Sequence, residues 1–367
     1  MKGQATDYLI FDQETGTWRE DPEQAVRDDV EKHYWLNVGR TILKDWRLYL
    51  MLVPMLAVFL LWRYMPMYEL LRCFKVDSAG DVIPVSERAY LGFSNFRALL
   101  MGTGTFAQLS QDFWQSMRNT FLLSFYGLCF GFPMPIILAL FFNEIRSNGT
   151  RSVLQVMTYL PKFMSTVIMT SLVVMLVKAS TSAIKSDPGI VSQLLVKLGM
   201  VSKGDADAGL LRNARYFRAI YQVSGIWETA GYDSIVFFAA IIAIAPTSYE
   251  AAQIDGANKW AQMRYVVLPS ILSTIVIMLI TRIGSMLSIG YEKVILLTNN
   301  LADNNVNSDV LDTAQVVSTF AWKKGTMQNP ALPGIASAAE MLNNIVGMLL
   351  VIGANTIARK ASNVSLY

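Results

Sequence analysis

The feature that most constrains this chain is the run Phe121–Phe142, FLLSFYGLCFGFPMPIILALFF, which contains no charged side chain. A helix needs about 20 apolar residues to cross the hydrocarbon core of a bilayer. Inside that core the backbone must satisfy its own polar groups, so an isolated run of this kind can only be a helix. Five further apolar segments accompany it, at about 48–68, 153–177, 219–246, 269–291 and 341–358. The expected fold class is therefore all-α: a polytopic transmembrane bundle of about six spans. With 53% hydrophobic and 16% charged residues, against about 25% charge in a soluble domain, the chain has too little polar surface to cover a water-exposed globule.

Local residues refine these segments. The first follows Arg40, Lys44 and Arg47 and carries Trp46 and Tyr49 where an aromatic belt belongs. Pro133 and Pro135 predict a kink in the second. Pro161 and Lys162 interrupt the third, Arg282 sits in the fifth, and the sixth holds Asn343, Asn344 and Asn355 before Arg359 and Lys360. A cytoplasmic N-terminus puts the basic residues near the helix ends, Arg146, Arg151, Lys259 and Arg264 among them, on one side. Three long connections, about 69–117, 179–218 and 292–338, fall on the other and weigh little in the positive-inside rule. Both termini are then cytoplasmic. Residues 1–40 read as a cytoplasmic extension without the apolar core of a signal peptide, helical in part from Pro22. Residues 41–116 read as the first span with an external loop, and 117–360 as the core bundle. In the external loops, 91–100 predicts a turn followed by a helix. Residues 186–199 predict an amphipathic helix capped by Asp187, lying along the outer surface or covering a pore.

Several chemistries are excluded by missing residues. A net charge of +3 gives no basic surface for nucleic acid, and Cys73 and Cys129 fit neither a metal spacing nor a disulfide framework. His33 stands in a charged, solvated stretch. No metalloprotease signature, nucleophile elbow or P-loop is present. The chain is thus expected to be no enzyme, to hold no metal or cofactor, and not to hydrolyse ATP itself.

The segment between the fourth and fifth spans, PTSYEAAQIDGANKWAQMRYVVLPSI (246–271), is too polar to cross a membrane. Pro246 is expected to end one helix, and Thr247 or Ser248 to cap the next, with Glu250 completing a capping box. Ala251, Ala252, Gly256 and Ala257 offer a smooth surface for close approach, and Glu250 and Asp255 offer carboxylates. Pro269 starts the following span, where its missing N–H does no harm. A loop helix lying on the bilayer is the competing reading. Such helices, however, set Trp, Phe and Leu against Lys and Arg, and a face of Ala, Gly, Glu and Asp suits a protein partner better.

These residues carry a resemblance. Glu250-Ala251-Ala252, three residues, Gly256, nine residues, then Val266-x-Leu268-Pro269 is similar to the "EAA" signature of the membrane subunits of ATP-binding-cassette importers, with Val266 in place of the usual Ile. The strings NEIRS (143–147), TYLPKF (158–163), IWETAGYDSI (226–235) and Arg282-Ile-Gly resemble the polysaccharide or complex-oligosaccharide branch, over about residues 45–360. The resemblance implies a bacterial cell-membrane permease that pairs with a second homologous permease. It also implies two ATPase subunits carrying ATP and Mg, and an extracellular or periplasmic solute-binding protein. Glu250, Ala251, Ala252, Asp255, Gly256, Ala257, Leu268 and Pro269 would then form an ATPase-coupling helix over 248–269. As substrate-path residues the sequence offers Arg282, Lys162, Glu228, Asp233 and the asparagines of the sixth span, with Trp227 and Tyr232 able to stack on sugar rings. Intramembrane charge is costly and commonly faces a bundle interior or aqueous path, although these groups equally have the option of pairing with one another or lying near the interface. Arg282 and Lys162 tilt the expectation towards acidic cargo. A secondary transporter or channel would explain the spans and the buried charges, but not the docking segment.

Overall fold

The computed structural model describes residues 9–12, 17–20, 38–39, 43–75, 89–177, 188–298, 308–327 and 332–362. It forms two compact units, Met1–Glu69 and Leu70–Tyr367. In the first, β1 (Leu9–Asp12) pairs antiparallel with β2 (Thr17–Glu20), Leu9 opposite Glu20. This strand pair was not anticipated from the sequence. The helix expected from Pro22, like His33, lies outside the described residues. The long apolar helix of this unit, α1 (Trp46–Tyr64), has no buried residue, as a lipid-facing span requires.

Apart from an isolated bridge between Lys75 and Tyr90, the second unit is built from helices: α2 (Ser94–Met101), α3 (Ala107–Glu144), α4 (Asn148–Phe163), α5 (Thr166–Val177), α6 (Ile190–Lys197), α7 (Lys203–Ala208), α8 (Ala214–Ile242), α9 (Pro246–Ile254), α10 (Lys259–Ser270), α11 (Leu272–Gly284), α12 (Tyr291–Thr298), α13 (Ser308–Ala314), α14 (Val317–Trp322) and α15 (Pro333–Ser362). Four helices, α1, α3, α8 and α15, are long and apolar enough to cross a membrane, and six crossings result if the bent pairs α4–α5 and α10–α11 each count as one. The all-α polytopic expectation is thereby met.

Three boundaries differ from expectation, each for a local reason. The third span is no straight crossing. Its halves α4 and α5 meet at 102°, where Met164 adopts extended backbone and Ser165 accepts a bond from the Ile168 N–H. Helix α4 starts at Ser147, whose side chain accepts from the Thr150 N–H, and exposes the stripe Val153, Val156, Met157, Leu160 and Phe163. The fifth span stops at Gly284, and Tyr291 opens a separate helix. In α3 the irregularity ahead of Pro133 is a π-helical turn, Gly127–Gly131, in which the Phe132 N–H reaches back five residues to Gly127. A second π turn, Met263–Val267, precedes Pro269 in the same way. A proline has no N–H to continue the ordinary ladder, and one inserted residue re-routes the neighbouring bonds.

Three apolar clusters hold the second unit together. Phe113, Phe320, Leu99 and Ile335 join α3, α14, α2 and α15. Leu123, Phe217, Val173, Val294 and Leu297 join α3, α8, α5 and α12. Phe237, Ile241, Ala139, Val267 and Ile271 join the far ends of α8, α3 and α10. Gly231 of α8 crosses α4 so closely that a Cβ there would fall 2.1 Å from the Thr158 carbonyl oxygen. Two of the strings that carry the family resemblance, TYLPKF and IWETAGYDSI, therefore meet at one crossing. The turn expected in 91–100 is present, with Gly92 at φ 60° ahead of α2. The expected amphipathic helix is α6, led by Gly189 without a side-chain cap; Asp187 lies outside the described residues.

Candidate functional site

Two regions of the second unit have the geometry of functional sites. The first is the α9–α10 turn. Contrary to expectation, Pro246 begins α9 rather than ending α8, and the capping box with Thr247 or Ser248 is not formed: extended Ala245 is the N-cap and makes no side-chain bond. Proline at the first turn supplies a preset φ at a position where its absent N–H is unneeded. The other end of α9 is closed by backbone alone. Gly256 takes φ 78°, its N–H bonds to Gln253, and the Ala257 N–H bonds to Ala252 at 2.9 Å. This is a Schellman cap, which favours glycine at the left-handed position. Asn258 then caps α10 by accepting from the Ala261 N–H at 2.8 Å, and buried Gln262 ties back to the Ala257 carbonyl.

Glu250, Ala251, Asp255 and Gly256 stand exposed on this turn, with Ala252 and Ala257 half-buried beneath. Leu268 is half-buried and Pro269 exposed, both within α10. The surface is less smooth than the sequence implied, because Ile254 (86% exposed) and Trp260 (69%) project beside the alanines. Lys259 bonds Glu144 at 3.3 Å, fastening the turn to the end of α3. An open notch of about 370 Å³ lies between Asn143, Ile241, Ile244, Tyr249 and Glu250. Burial, and secondarily the Glu144 carboxylate, push the Tyr249 phenol above its ordinary pKa.

The second region is a cavity of about 290 Å³ among α3, α8, α11, α12 and the 285–290 loop. Asn213 starts α8 by accepting from the Arg215 N–H. At 1.5 Å per residue, the cavity-lining stretch of α8 stands about 20–30 Å from the end at Ile242. Glu228 and Lys293 bond at 2.8 Å, each side chain 15% exposed. The Lys293 ammonium also lies 5.5 Å from the Tyr221 ring centre. Gln222 donates to the Leu123 carbonyl at 2.5 Å, and Ser124 donates to the Met286 carbonyl. Three glycines hold the space open around polar heads: a Cβ at 127 would come 3.5 Å from Gln222 Oε1, at 225 3.6 Å from Lys293 Nζ, and at 131 4.0 Å from Arg282 Nη2. A smaller cavity of about 140 Å³ shares Gly131, Arg282 and Ser285 and adds Asp233.

The sequence-derived path residues therefore divide. Glu228 and Arg282 line the larger cavity, and Asp233 with Arg282 the smaller. Trp227 and Tyr232 are exposed and line neither, Tyr232 packing edge-on against Phe163 at 5.9 Å. Lys162 is exposed at the end of α4, within electrostatic reach of Asp233. Asn343 of α15 is buried and donates to the Leu287 carbonyl, a packing role. Lys293, Tyr221 and Gln222 were missed. In the sequence the apolar fifth segment continues to Tyr291, which puts Lys293 at the start of an external loop; the run VILLT after it, at helical spacing, is the signal for a separate helix.

Membrane-length helices around a polar cavity, with an exposed turn at one end of the bundle, are the architecture of a multi-pass solute-translocating membrane protein. Residues 131–291 match the family described as the binding-protein-dependent transport system inner membrane component. The chain is 33% identical over 324 residues to Protein LplB of Bacillus subtilis (strain 168), covering 88% of this chain and 92% of that protein. It is 34% identical over 320 residues to the polygalacturonan/rhamnogalacturonan transport system permease protein YteP of the same organism, covering 87% and 90%. Among solved structures it superposes with a TM-score of 0.72 on a chain of a bacterial ABC transporter involved in the import of the acidic polysaccharide alginate, at 35% identity over 89% of this chain and 99% of that one. A chain of a bacterial alginate ABC transporter in complex with alginate pentasaccharide-bound periplasmic protein gives 0.70, at 35% identity over 89% of this chain and 99% of that one. The chain belongs to the binding-protein-dependent transport system inner membrane component family.

Proposed function

We propose that this chain forms half of the translocation path of an ATP-driven importer for an oligosaccharide or polysaccharide fragment. The observation that carries the reading is near full-length likeness to permeases whose own cargo is polygalacturonan/rhamnogalacturonan or alginate. The polar cavity supports it, because saccharides need hydrogen-bonding walls at membrane depth. In this reading the α9–α10 turn docks an ATPase subunit through Glu250, Ala251, Ala252, Asp255, Gly256 and Ala257, while Leu268 and Pro269 set the start of the next span. ATP and Mg sit on that partner, and this chain is non-catalytic. Its other partners are a second homologous permease, a second ATPase subunit and an extracellular or periplasmic binding protein, in a bacterial cell membrane with both termini cytoplasmic.

The test is purification of the tagged chain from membranes, followed by reconstitution in liposomes. An ATPase and a second permease should co-purify, and ATP hydrolysis should rise when the binding protein and an oligosaccharide are added. A chain that isolates alone and moves solute without ATP would be a secondary transporter or channel, and the reading would fall.

A further inference from the structure

We infer that Arg282 is the specificity-determining cation of the cavity and selects saccharide units that bear a carboxylate. The inference rests on the proposed import function and adds to it the residue that reads the cargo's charge. Of the three charged side chains lining the larger cavity, two are already committed. Glu228 and Lys293 neutralise each other at 2.8 Å, and Lys293 also lies against the Tyr221 ring. The Arg282 guanidinium makes no hydrogen bond or ion pair with any described residue; only its backbone carbonyl accepts, from the Ser285 hydroxyl. It lines both cavities and so stands where they adjoin. Asp233 shares the smaller cavity and acts on it through space.

An unpaired guanidinium within a membrane-length bundle is costly to keep. A neutral sugar hydroxyl does not compensate its charge, whereas a carboxylate does. The planar fork of arginine donates two parallel bonds to a carboxylate, a geometry a lysine cannot reproduce. The wall facing the guanidinium is Gly131, which leaves the approach open. The carboxylate of a uronate residue is thus the group this site takes: an anion presented by a passing sugar unit, met by the one lining cation without a bonded partner.

The experiment uses the complete transporter in nanodiscs, without binding protein, and measures equilibrium binding of a galacturonate trisaccharide and of its methyl ester. The unmodified transporter should bind the acid more tightly than the ester. Arg282→Gln should weaken acid binding about tenfold or more while leaving the ester unchanged, and Arg282→Lys should recover part of the loss. Gly131→Val, which crowds the guanidinium without removing it, should also reduce acid binding and serves if Arg282→Gln fails to assemble. Equal binding of acid and ester by the unmodified transporter, an unchanged ratio in Arg282→Gln, or no acid binding at millimolar concentration would overturn the inference. Any of these in a complex that still hydrolyses ATP with its partners removes this inference alone; a chain without an ATPase partner removes the reading beneath it.

Discussion

The α9–α10 turn and the cavity are built by opposite means. The turn is specified between positions 246 and 258: Pro246 opens it, Gly256 reverses it in the left-handed region, and Asn258 starts the next helix. It buries almost nothing, and its shape is a property of the backbone. The cavity draws its lining from segments far apart in sequence, Ser124 beside Met286 at a separation of 162 positions and Glu228 beside Lys293 at 65. Its shape is a property of packing. The contrast extends to two pairs of the same chemistry. Glu144–Lys259 at the turn has side chains 38% and 72% exposed, whereas Glu228–Lys293 in the cavity has both at 15%. Water screens the first; the second stands largely in the low dielectric of the bundle.

Substitutions can set the two regions apart. The largest effect is expected at Gly256. A β-branched residue at φ 78° is strained, so Gly256→Val should distort the turn and lower ATP-coupled uptake in proteoliposomes by at least about tenfold. Saccharide binding in the cavity should stay intact, and Gly256→Asn, which tolerates this conformation, should keep most activity. Full uptake by the valine variant would show that the turn's shape does not matter. Next is Lys293→Met, which strands the Glu228 carboxylate. The loss should be on the order of 2 kcal/mol, below the ~3–5 kcal/mol of a fully buried pair because both side chains keep 15% exposure. The double variant with Glu228→Gln should recover most of it in thermal unfolding of the purified complex. If the double variant is as unstable as the single, the pair is not the source. The smallest effect belongs to Lys259→Met. Its exposed pair should be worth less than ~1 kcal/mol, and a melting shift as large as that of Lys293→Met would erase the distinction between the regions.

Legibility in the sequence follows the same division. The spans of α1, α3, α8 and α15 were visible as apolar runs, and Gly256 was visible in its motif, though for a different reason than its conformation gives. A left-handed cap, more than a missing side chain, is what position 256 demands in this chain. The 102° bend after Phe163 was only half legible: Pro161 and Lys162 flagged an interruption, but its angle depends on Met164 turning extended and Ser165 capping anew. Trp227 and Tyr232 lie outside both cavities, a placement the sequence could not give, because an aromatic on a polar-flanked helix does not reveal which way it points. Lys293 escaped because its partner lies 65 positions earlier, and no local pattern encodes such a meeting.

The π turn at Gly127–Gly131 changes how α3 must be counted. Before it, buried positions step by sevens, Leu109, Ser116 and Leu123 on one row and Phe113 and Thr120 on the next. Carried forward unchanged, those rows would reach Phe130, Ile137 and Phe141, which are 63%, 53% and 56% exposed. The residues that turn inward are instead Pro135 and Phe142, one place later than the second row's continuation, together with Ala139. The turn thus inserts a single residue into the phase of the helix, and α3 reads as two stripes about 100° out of step. Winding this turn as regular α-helix at unchanged length would rotate the whole Pro133–Glu144 half, bringing Ile137 and Phe141 inward and turning Phe142 towards lipid, whereas deleting one residue between 127 and 131 would remove the insertion and leave both stripes in place.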